Sequence, residues 1–257
     1  MKRDLNFRKP YMNSAGMLGF SPEPQLDIPW DSFGAFVTNP VSLRPRQPAS
    51  QPDCYDYPGG VLLHSGLPNP GFKRVVEKNS VRWNKSALPI IVHLMADRPE
   101  ETRLMVSELE GMENILAVEL GFAPLLADDI LMLTLELCRG EIPLIFSLAS
   151  DQVLSLGPRL LQEGAAAISL AAPRGAFPRS SRSTAVVPGD REWVSGRLYG
   201  PSLYPESLLL IQQAVKLGLP IIGSGGIRAG KDAETMLAAG ACAIQLDVLL
   251  WKPGLFI

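Results

Sequence analysis

Short apolar runs recur along this chain at a spacing that is typical of a parallel β-sheet. Between residues 80 and 248 these runs are rich in Ile, Val and Leu. Strands that are buried on both faces have this near-continuous apolar character. With two earlier candidates, the pattern predicts eight strands, at residues 11–14, 34–38, 89–94, 115–120, 143–148, 166–170, 220–223 and 243–246.

Segments with helical period separate most of these runs. They predict helices over residues 99–109, 127–138, 152–163, 203–217 and 231–239. Strand and helix in alternation are typical of parallel βα units, and eight such units close a (β/α)8 TIM barrel. We therefore predict one barrel domain over residues 1–257. A doubly wound open sheet is the alternative, because periodicity does not reveal whether the sheet closes.

Two long connections interrupt the alternation. Residues 39–71 are rich in proline, and residues 171–201 are rich in Ser, Arg, Pro and Gly. Long connections inside a compact domain are usually functional or disordered. Each follows a strand, so in a barrel both lie on the C-terminal face, where active sites are built. Five arginines give the second connection a positive bias that suits either an anion contact or a solvated loop: Arg174, Arg179, Arg182, Arg191 and Arg197.

Composition excludes several classes of protein. With 46% hydrophobic and 19% charged residues, the chain has enough apolar side chains for a large core. A formal charge of −2 gives no basic surface for nucleic acid or for a membrane. No apolar run reaches the roughly 18 residues of a membrane span, and the N-terminus does not resemble a signal peptide. Three scattered cysteines without CxxC spacing are typical of a cytoplasmic protein.

Six motifs occur in a fixed order along the chain. They are residues 13–20 (NSAGMLGF), 35–38 (AFVT) with 43–46 (LRPR), 58–60 (PGG) with 66–71 (GLPNPG), 200–201 (GP), 221–227 (IIGSGGI) and 238–241 (AAGA). In this order they resemble the dihydroorotate dehydrogenases, which are flavin enzymes of pyrimidine synthesis. The resemblance implies a barrel of that type with FMN at its C-terminal face.

The resemblance also implies where FMN would bind. A glycine-rich turn before a helix presents N–H groups to a phosphate, although glycine also serves close packing. The third part of the family's phosphate site falls on Asp247, whose carboxylate would repel a phosphate. If FMN binds, we expect Asp247 to be turned away or paired with an arginine. The expected cofactor contacts are Ser14, Ala15, Gly16, Gly196, Gly200, Gly223, Gly225 and Gly226.

The family's catalytic residues are not in their places. The position of the base is Pro124, which cannot take a proton, and the two lysine positions are Asn39 and Ser147. Substrate contacts of the family fall on Leu63 and on the pair at residues 172–173 (AP). The resemblance therefore leaves the catalytic residues unassigned.

Other side chains are candidates from their type and position. His93 ends a strand and is a candidate base, although hydrogen bonding to a backbone carbonyl is our preferred interpretation. Cys54 is a candidate nucleophile, with an exposed or packing role as the preferred interpretation. Glu119 and Asp247 lie near strand ends and suit either a metal or salt bridges to Arg197 or Arg174. Because no third ligand has recognisable spacing, we predict no metal site.

Three functions remain open. The first is a dihydroorotate dehydrogenase-like flavin barrel in which dihydroorotate oxidation is lost or altered. The others are a non-catalytic barrel acting as a subunit or binding module, and a reshaped FMN oxidoreductase for an apolar substrate. The few residues after the eighth strand predict that a full C-terminal helix is lacking and that a homo-oligomer or partner subunit covers the gap. The apolar side chains expected at that contact are Leu249, Leu250, Trp251, Leu255 and Phe256.

Overall fold

Eight parallel strands form the central sheet of the protein, in a computed structural model that describes residues 4–23, 26–178 and 193–251. The strands are β1 (Tyr11–Asn13), β2 (Phe36–Val37), β5 (Ile90–Met95), β6 (Ile115–Gly121), β7 (Leu144–Leu148), β8 (Ala167–Leu170), β11 (Ile221–Ser224) and β12 (Ala243–Leu246). The helices are α1 (Phe72–Lys85), α2 (Pro99–Glu110), α3 (Asp128–Cys138), α4 (Ser150–Gln162), α5 (Tyr204–Lys216) and α6 (Gly230–Ala238). Short 3₁₀ turns lie at Trp30–Ser32, Pro201–Leu203 and Val248–Trp251.

The sheet curls until β1 and β2, the two ends of its strand order, meet. The backbone N–H of Gly34 donates to the carbonyl of Tyr11 (2.8 Å). The side chain of Asn13 then takes the place of a backbone partner: its Nδ2 donates to the Val37 carbonyl (2.6 Å), and its Oδ1 accepts from the Val37 N–H (3.0 Å). The predicted (β/α)8 barrel is therefore confirmed, and the open-sheet alternative is wrong.

The eight predicted strands and five predicted helices occur at the expected places, within a few residues. Helix α1 was not among them. Its buried side chains lie at Phe72, Val75, Val76, Asn79 and Trp83, which is the spacing of one helical face. The helical spacing was therefore visible in the sequence. The segment was missed because the charged residues between these positions lower its mean hydropathy.

The two long connections are not irregular throughout. They contain β3 (Asp53–Tyr57), β4 (Gly60–His64), β9 (Arg174–Pro178) and β10 (Trp193–Tyr199). These strands pair in an antiparallel sheet of order β3-β4-β10-β9. A search for continuous apolar runs misses such strands, because burial alternates along β9 and along most of β10. Arg179, Arg182 and Arg191 of the predicted positive segment lie outside the described residues.

The interior of the barrel has an apolar layer and a polar layer. The apolar layer holds small and branched side chains, at Met12, Ala35, Val37, Ile91, Ala117, Ile145, Ala167, Ile222 and Ala243. Side chains alternate along a strand, so the residue two positions later lies on the same inward side. On six strands that residue is polar: His93, Glu119, Ser147, Ser169, Ser224 and Gln245. Polar groups therefore gather inside the C-terminal end of the barrel.

Candidate functional site

A cavity lies above this polar layer, at the C-terminal end of the barrel. Its walls come from the barrel strands, from α5 and from the end of β10. The space open to the centre of a water-sized molecule is about 50 Å³, which is enough for roughly three or four waters. The functional groups on its walls are Ser14, His93, Glu119, Ser147, Ser150, Arg197, Tyr199, Glu206, Ser207, Ser224, Gln245 and Asp247.

A buried network centred on Glu119 forms the floor of this cavity. Nδ1 of His93 lies 2.7 Å from one carboxylate oxygen. The other oxygen accepts hydrogen bonds from Ser169 Oγ (2.6 Å) and Gln245 Nε2 (2.7 Å). Glu119 and His93 are 1% and 3% exposed, so the carboxylate depends on these three partners rather than on water.

The network keeps Glu119 ionised. Burial opposes the charge, but hydrogen bonding to His93 and the attraction between the two groups outweigh it, with smaller help from Ser169 and Gln245. The pKa of Glu119 is therefore held below its ordinary value. An ionised carboxylate only accepts hydrogen bonds, so Nδ1 of His93 is the donor. In the neutral ring this leaves Nε2 with a lone pair that can take a proton.

Two predictions about these residues were wrong. His93 was expected to hydrogen-bond a backbone carbonyl, and Glu119 was expected to pair with Arg197 or Arg174. The two bond each other instead, because β5 and β6 pair in a register that sets His93 directly beside Glu119. The available signal was the polar position near the end of each of two neighbouring apolar strands.

Asp247 forms the end of the cavity beside the glycine turn. It follows β12, is 3% exposed and lines the cavity together with Gly225. Burial raises its pKa to about 6, and the backbone N–H groups of Val248, Leu249 and Gly226 offset only part of that effect. Its Oδ1 is buried and has no hydrogen-bond partner among the described residues. The expectation that Asp247 is turned away or paired with an arginine concerns the protein with FMN bound and stays a prediction. In this structure Asp247 lines the cavity and forms no ion pair with an arginine among the described residues.

Tyr199 lies between Asp247 and the basic side of the site. The pKa of its hydroxyl is raised, mainly by burial and further by the charge of Asp247. Arg197, which hydrogen-bonds Tyr199, partly offsets this increase. Arg197 is thus engaged with Tyr199, and among the described residues it forms no ion pair with Asp247.

The predicted cofactor residues separate into three groups. Ser14, Ala15 and Gly225 line the cavity. Gly16 and Gly196 line a second cavity, which shares Ala15, Arg197 and Tyr199 with the first. The remaining three line neither cavity: Gly200, Gly223 and Gly226.

Close packing accounts for several of these glycines. A Cβ at Gly223 would lie 2.9 Å from the side chain of Ile211, inside the core. A Cβ at Gly200 would overlap the backbone of Gly60. Gly225 and Gly226 have φ values of +93° and +78°, a region that favours glycine. Their contact with a cofactor remains a prediction.

Two other predicted positions lie away from the cavity. Cys54 is exposed on β3, and burial together with Asp56 and Asp53 raises the pKa of its thiol. A reactive cysteine has a lowered pKa, so this environment does not activate it. Pro124 is exposed and does not line the cavity. Ser147, for which the resemblance implies a family lysine position, does line it.

The second cavity has a basic wall. It is lined by three arginines, Arg46, Arg174 and Arg197. The last two belong to the second long connection, for which the sequence predicts a positive bias. Burial lowers the pKa of Arg174, and the charges of Arg197 and Arg46 lower it further, against a smaller opposite effect from Asp97. Positive charge therefore gathers at this side of the site.

Two kinds of feature are not found in the described part of the chain. It contains no group of three or more His, Cys, Asp or Glu side chains placed to hold a metal ion. It also contains no helix with the length and apolar character needed to cross a membrane.

The chain matches a known protein family over most of its length. The family model for dihydroorotate dehydrogenase matches residues 3–122 and 184–257, which is more than half of the chain. The chain belongs to the dihydroorotate dehydrogenase family. The match omits residues 123–183, the stretch that holds Pro124, Ser147 and Ala172.

Curated relatives cover nearly the whole chain. The catalytic subunit of dihydroorotate dehydrogenase B (NAD(+)) from Pelobacter propionicus is 27% identical over an alignment of 257 positions, which covers 94% of this chain and 84% of the relative. A subunit of the same name from Geobacter sp. strain M21 is 27% identical over 94% of this chain and 83% of the relative. Another, from Desulforudis audaxviator, is 27% identical over 97% of this chain and 86% of the relative.

Proposed function

We propose that this chain is a dihydroorotate dehydrogenase-family barrel in which dihydroorotate oxidation is lost or altered. In this proposal the cavity is a small-molecule site whose proton-accepting group is His93, oriented by Glu119. The observation that carries the proposal is the buried His93–Glu119 pair on the cavity floor, combined with an exposed proline at the family's base position.

The argument starts from the chemistry that the family reaction requires. Oxidation of dihydroorotate through a flavin needs a base that removes a proton as a hydride leaves. Pro124 has no group that can do so. Asn39 and Ser147 carry no charge at the two lysine positions, and Asn39 is engaged with the N–H of Gly19 (3.1 Å). The usual proton acceptor and both cationic contacts are therefore missing.

The cavity offers a different set of groups. Nε2 of His93 is the free nitrogen of a ring whose other nitrogen is fixed by an ionised carboxylate, an arrangement that suits a general base. The neighbouring wall is apolar, at Leu170, Ala171, Ala172, Pro173, Leu198, Leu203 and Leu210. This combination supports the reshaped oxidoreductase with an apolar substrate over retention of the family substrate.

The cofactor follows from the family resemblance, and one end of the site does not suit it. FMN would accept the hydride, and Ser14, Ala15 and Gly225 are the cavity-lining residues at positions that the resemblance assigns to its contacts. The open space of about 50 Å³ holds only a small part of that molecule. A phosphate dianion would meet the buried carboxylate of Asp247 beside Gly226, without an arginine to neutralise it. We therefore expect FMN to bind no more tightly than riboflavin, which has no phosphate.

Two measurements test the proposal. Purified protein should show no turnover of dihydroorotate, and an absorbance spectrum between the near ultraviolet and the blue reports any bound flavin. Turnover at the roughly 1–10³ s⁻¹ of an ordinary enzyme would overturn the proposal. For any substrate that the chain does turn over, His93→Gln should lower kcat by about 10²–10⁴. An unchanged kcat would remove His93 from the proposed role.

A second candidate is a non-catalytic barrel that acts as a subunit. The observation that favours it is the small open volume of the cavity, far below that of sites for drug-sized ligands. The relatives are named as catalytic subunits, which supports an assembly with a partner or with further copies of the chain. Titrations with riboflavin and FMN that show no binding at millimolar concentration, together with a stable oligomer by analytical ultracentrifugation, would favour this candidate.

A further inference from the structure

We propose that Asp247 makes the glycine-turn end of the cavity a site for a small cationic hydrogen-bond donor, an amidine or a primary amine, and closes that end to phosphate. The proposal rests on the proposed small-molecule site in the same cavity and adds the chemical class of the group that binds there.

The first step is the unmet hydrogen-bonding capacity of Asp247. Its carboxylate lines the cavity, yet Oδ1 is buried and without a partner among the described residues. A buried acceptor without a donor is costly, and a buried charge without a partner is more so. A ligand that brings an N–H donor to Oδ1 would remove this cost. A ligand that brings a second anion would increase it.

The second step is the set of groups that face Asp247. From the β11–α6 turn comes the N–H of Gly226, and from the segment after β12 come those of Val248 and Leu249. From β10 comes the hydroxyl of Tyr199. The remaining charged groups on the cavity wall are Arg197, Glu206 and the His93–Glu119 pair.

The balance of these charges favours a cation. Arg197 is engaged with Tyr199, and no ion pair joins it to Asp247 among the described residues. Glu119 is already matched by His93, and Glu206 adds a further acid on the α5 wall. The Asp247 end therefore carries a negative charge that backbone N–H groups only partly offset.

The third step is size. The open space suits a group of about three or four heavy atoms, because each water needs about 10–15 Å³ by the same measure. Acetamidinium has four heavy atoms, carries a delocalised positive charge and presents two parallel N–H donors. Acetate has the same planar shape and the opposite charge. The two ions are therefore matched probes for the charge preference of this site.

The experiment measures binding of acetamidinium, acetate and inorganic phosphate to the full chain at pH 8, by chemical-shift perturbation. The wild-type protein should bind acetamidinium in the millimolar range, with shifts at Gly225, Gly226 and Asp247. Acetate and phosphate should bind at least tenfold more weakly. Asp247→Asn should weaken acetamidinium binding at least tenfold and make phosphate binding measurable. Glu234→Gln, which removes one exposed carboxylate from α6, is the charge-matched control and should leave all three affinities unchanged.

Several results would overturn the proposal: no acetamidinium binding to the wild-type protein, equal binding of acetate, or an Asn variant with unchanged preference. The wild-type comparison needs no variant, so a poorly folded Asp247→Asn protein still leaves the proposal tested. These measurements read the charge preference of the cavity without turnover. Oxidation of dihydroorotate by the protein would refute the proposed function but would not change the measured charge preference of the cavity.

Discussion

Gly121 gives the ring of His93 the space that a larger residue would fill. A Cβ at position 121 would overlap Nε2 and would lie 2.8 Å from Cε1 of that ring. Position 121 ends β6, two residues after Glu119, so one strand supplies both the carboxylate that holds His93 and the gap that admits it. The orientation of the imidazole is therefore fixed on two sides.

Gly121→Ala should displace His93 from Glu119. The overlap cannot be relieved by a flexible side-chain end, so we expect a loss of about 1–3 kcal/mol in the free energy of unfolding. Gly111→Ala is the matched control, because its Cβ would meet only the Glu108 carbonyl, at 3.8 Å. Urea denaturation of both variants measures the effect. Equal stability of the two proteins would show that His93 is not confined by Gly121.

Glu119→Gln should be strongly destabilising. The substitution keeps the shape of the side chain but removes the charge that His93, Ser169 and Gln245 stabilise, and a hydrogen bond to a buried charged group is worth about 1.5–3 kcal/mol. Glu163→Gln removes the carboxylate of an exposed pair with Arg139 and should cost about 0–1 kcal/mol. Denaturation midpoints at pH 7 compare the two variants. A small loss in both would mean that the buried network adds little to stability.

Asp247→Asn should change the dependence of stability on pH. Burial raises the pKa of Asp247 from 3.8 to about 6. Between these values the folded protein keeps a proton that the unfolded chain releases, so stability falls as pH rises through about 6. The shift corresponds to about 3 kcal/mol of unfolding free energy. The Asn variant has no carboxyl group at this position, so it does not lose this stability as the pH rises.

The measurement for Asp247 is the difference in unfolding free energy between variant and wild type at pH 4.5 and pH 7.5. All other titrating groups are common to the two proteins. Tyr199, whose raised pKa depends in part on Asp247, stays protonated over this pH range. The variant should gain relative to wild type at the higher pH. Parallel pH profiles would show that Asp247 titrates at its ordinary value.

Trp251→Glu should weaken self-association if the end of the described chain forms a contact between molecules. Of the side chains expected at this contact, Leu249 and Leu250 are buried in the core, Trp251 is 47% exposed, and Leu255 and Phe256 lie outside the described residues. The indole Nε1 donates to the Met17 carbonyl (3.2 Å), which holds the ring at the surface. Leu209→Glu, at an exposed position on α5, is the control. Sedimentation at micromolar concentration should show a smaller species only for the Trp251 variant, and an unchanged distribution would remove Trp251 from the contact.

The barrel strands could be predicted from sequence because they are buried on both faces and therefore read as apolar runs. The antiparallel strands could not be found in this way, since β10 alternates between buried and exposed residues. Helix α1 was missed although its buried residues have helical spacing. Strand predictions therefore succeeded where burial is continuous along the strand and failed where it alternates.

The site was harder to predict, because its chemistry depends on contacts between strands. His93 and Glu119 each stood out by position, but their pairing depends on the register of β5 against β6. The carboxylate of Asp247, which we propose excludes phosphate, was visible in the sequence. Two of its neighbours could not be predicted, since Gly226 and Tyr199 come from a turn and a strand distant in sequence.

The closure of the barrel by Asn13 has a consequence for local motion. Seven strand pairs are joined by backbone ladders, whereas β1 and β2 are joined chiefly through one amide side chain and the Gly34–Tyr11 hydrogen bond. Local openings begin where few backbone hydrogen bonds must break. Amide hydrogens of Gly34 and Val37 should therefore exchange with solvent faster than those of β6. Because Ser14 follows Asn13 and lines the cavity, each such opening loosens the cavity wall while the seven ladders stay intact.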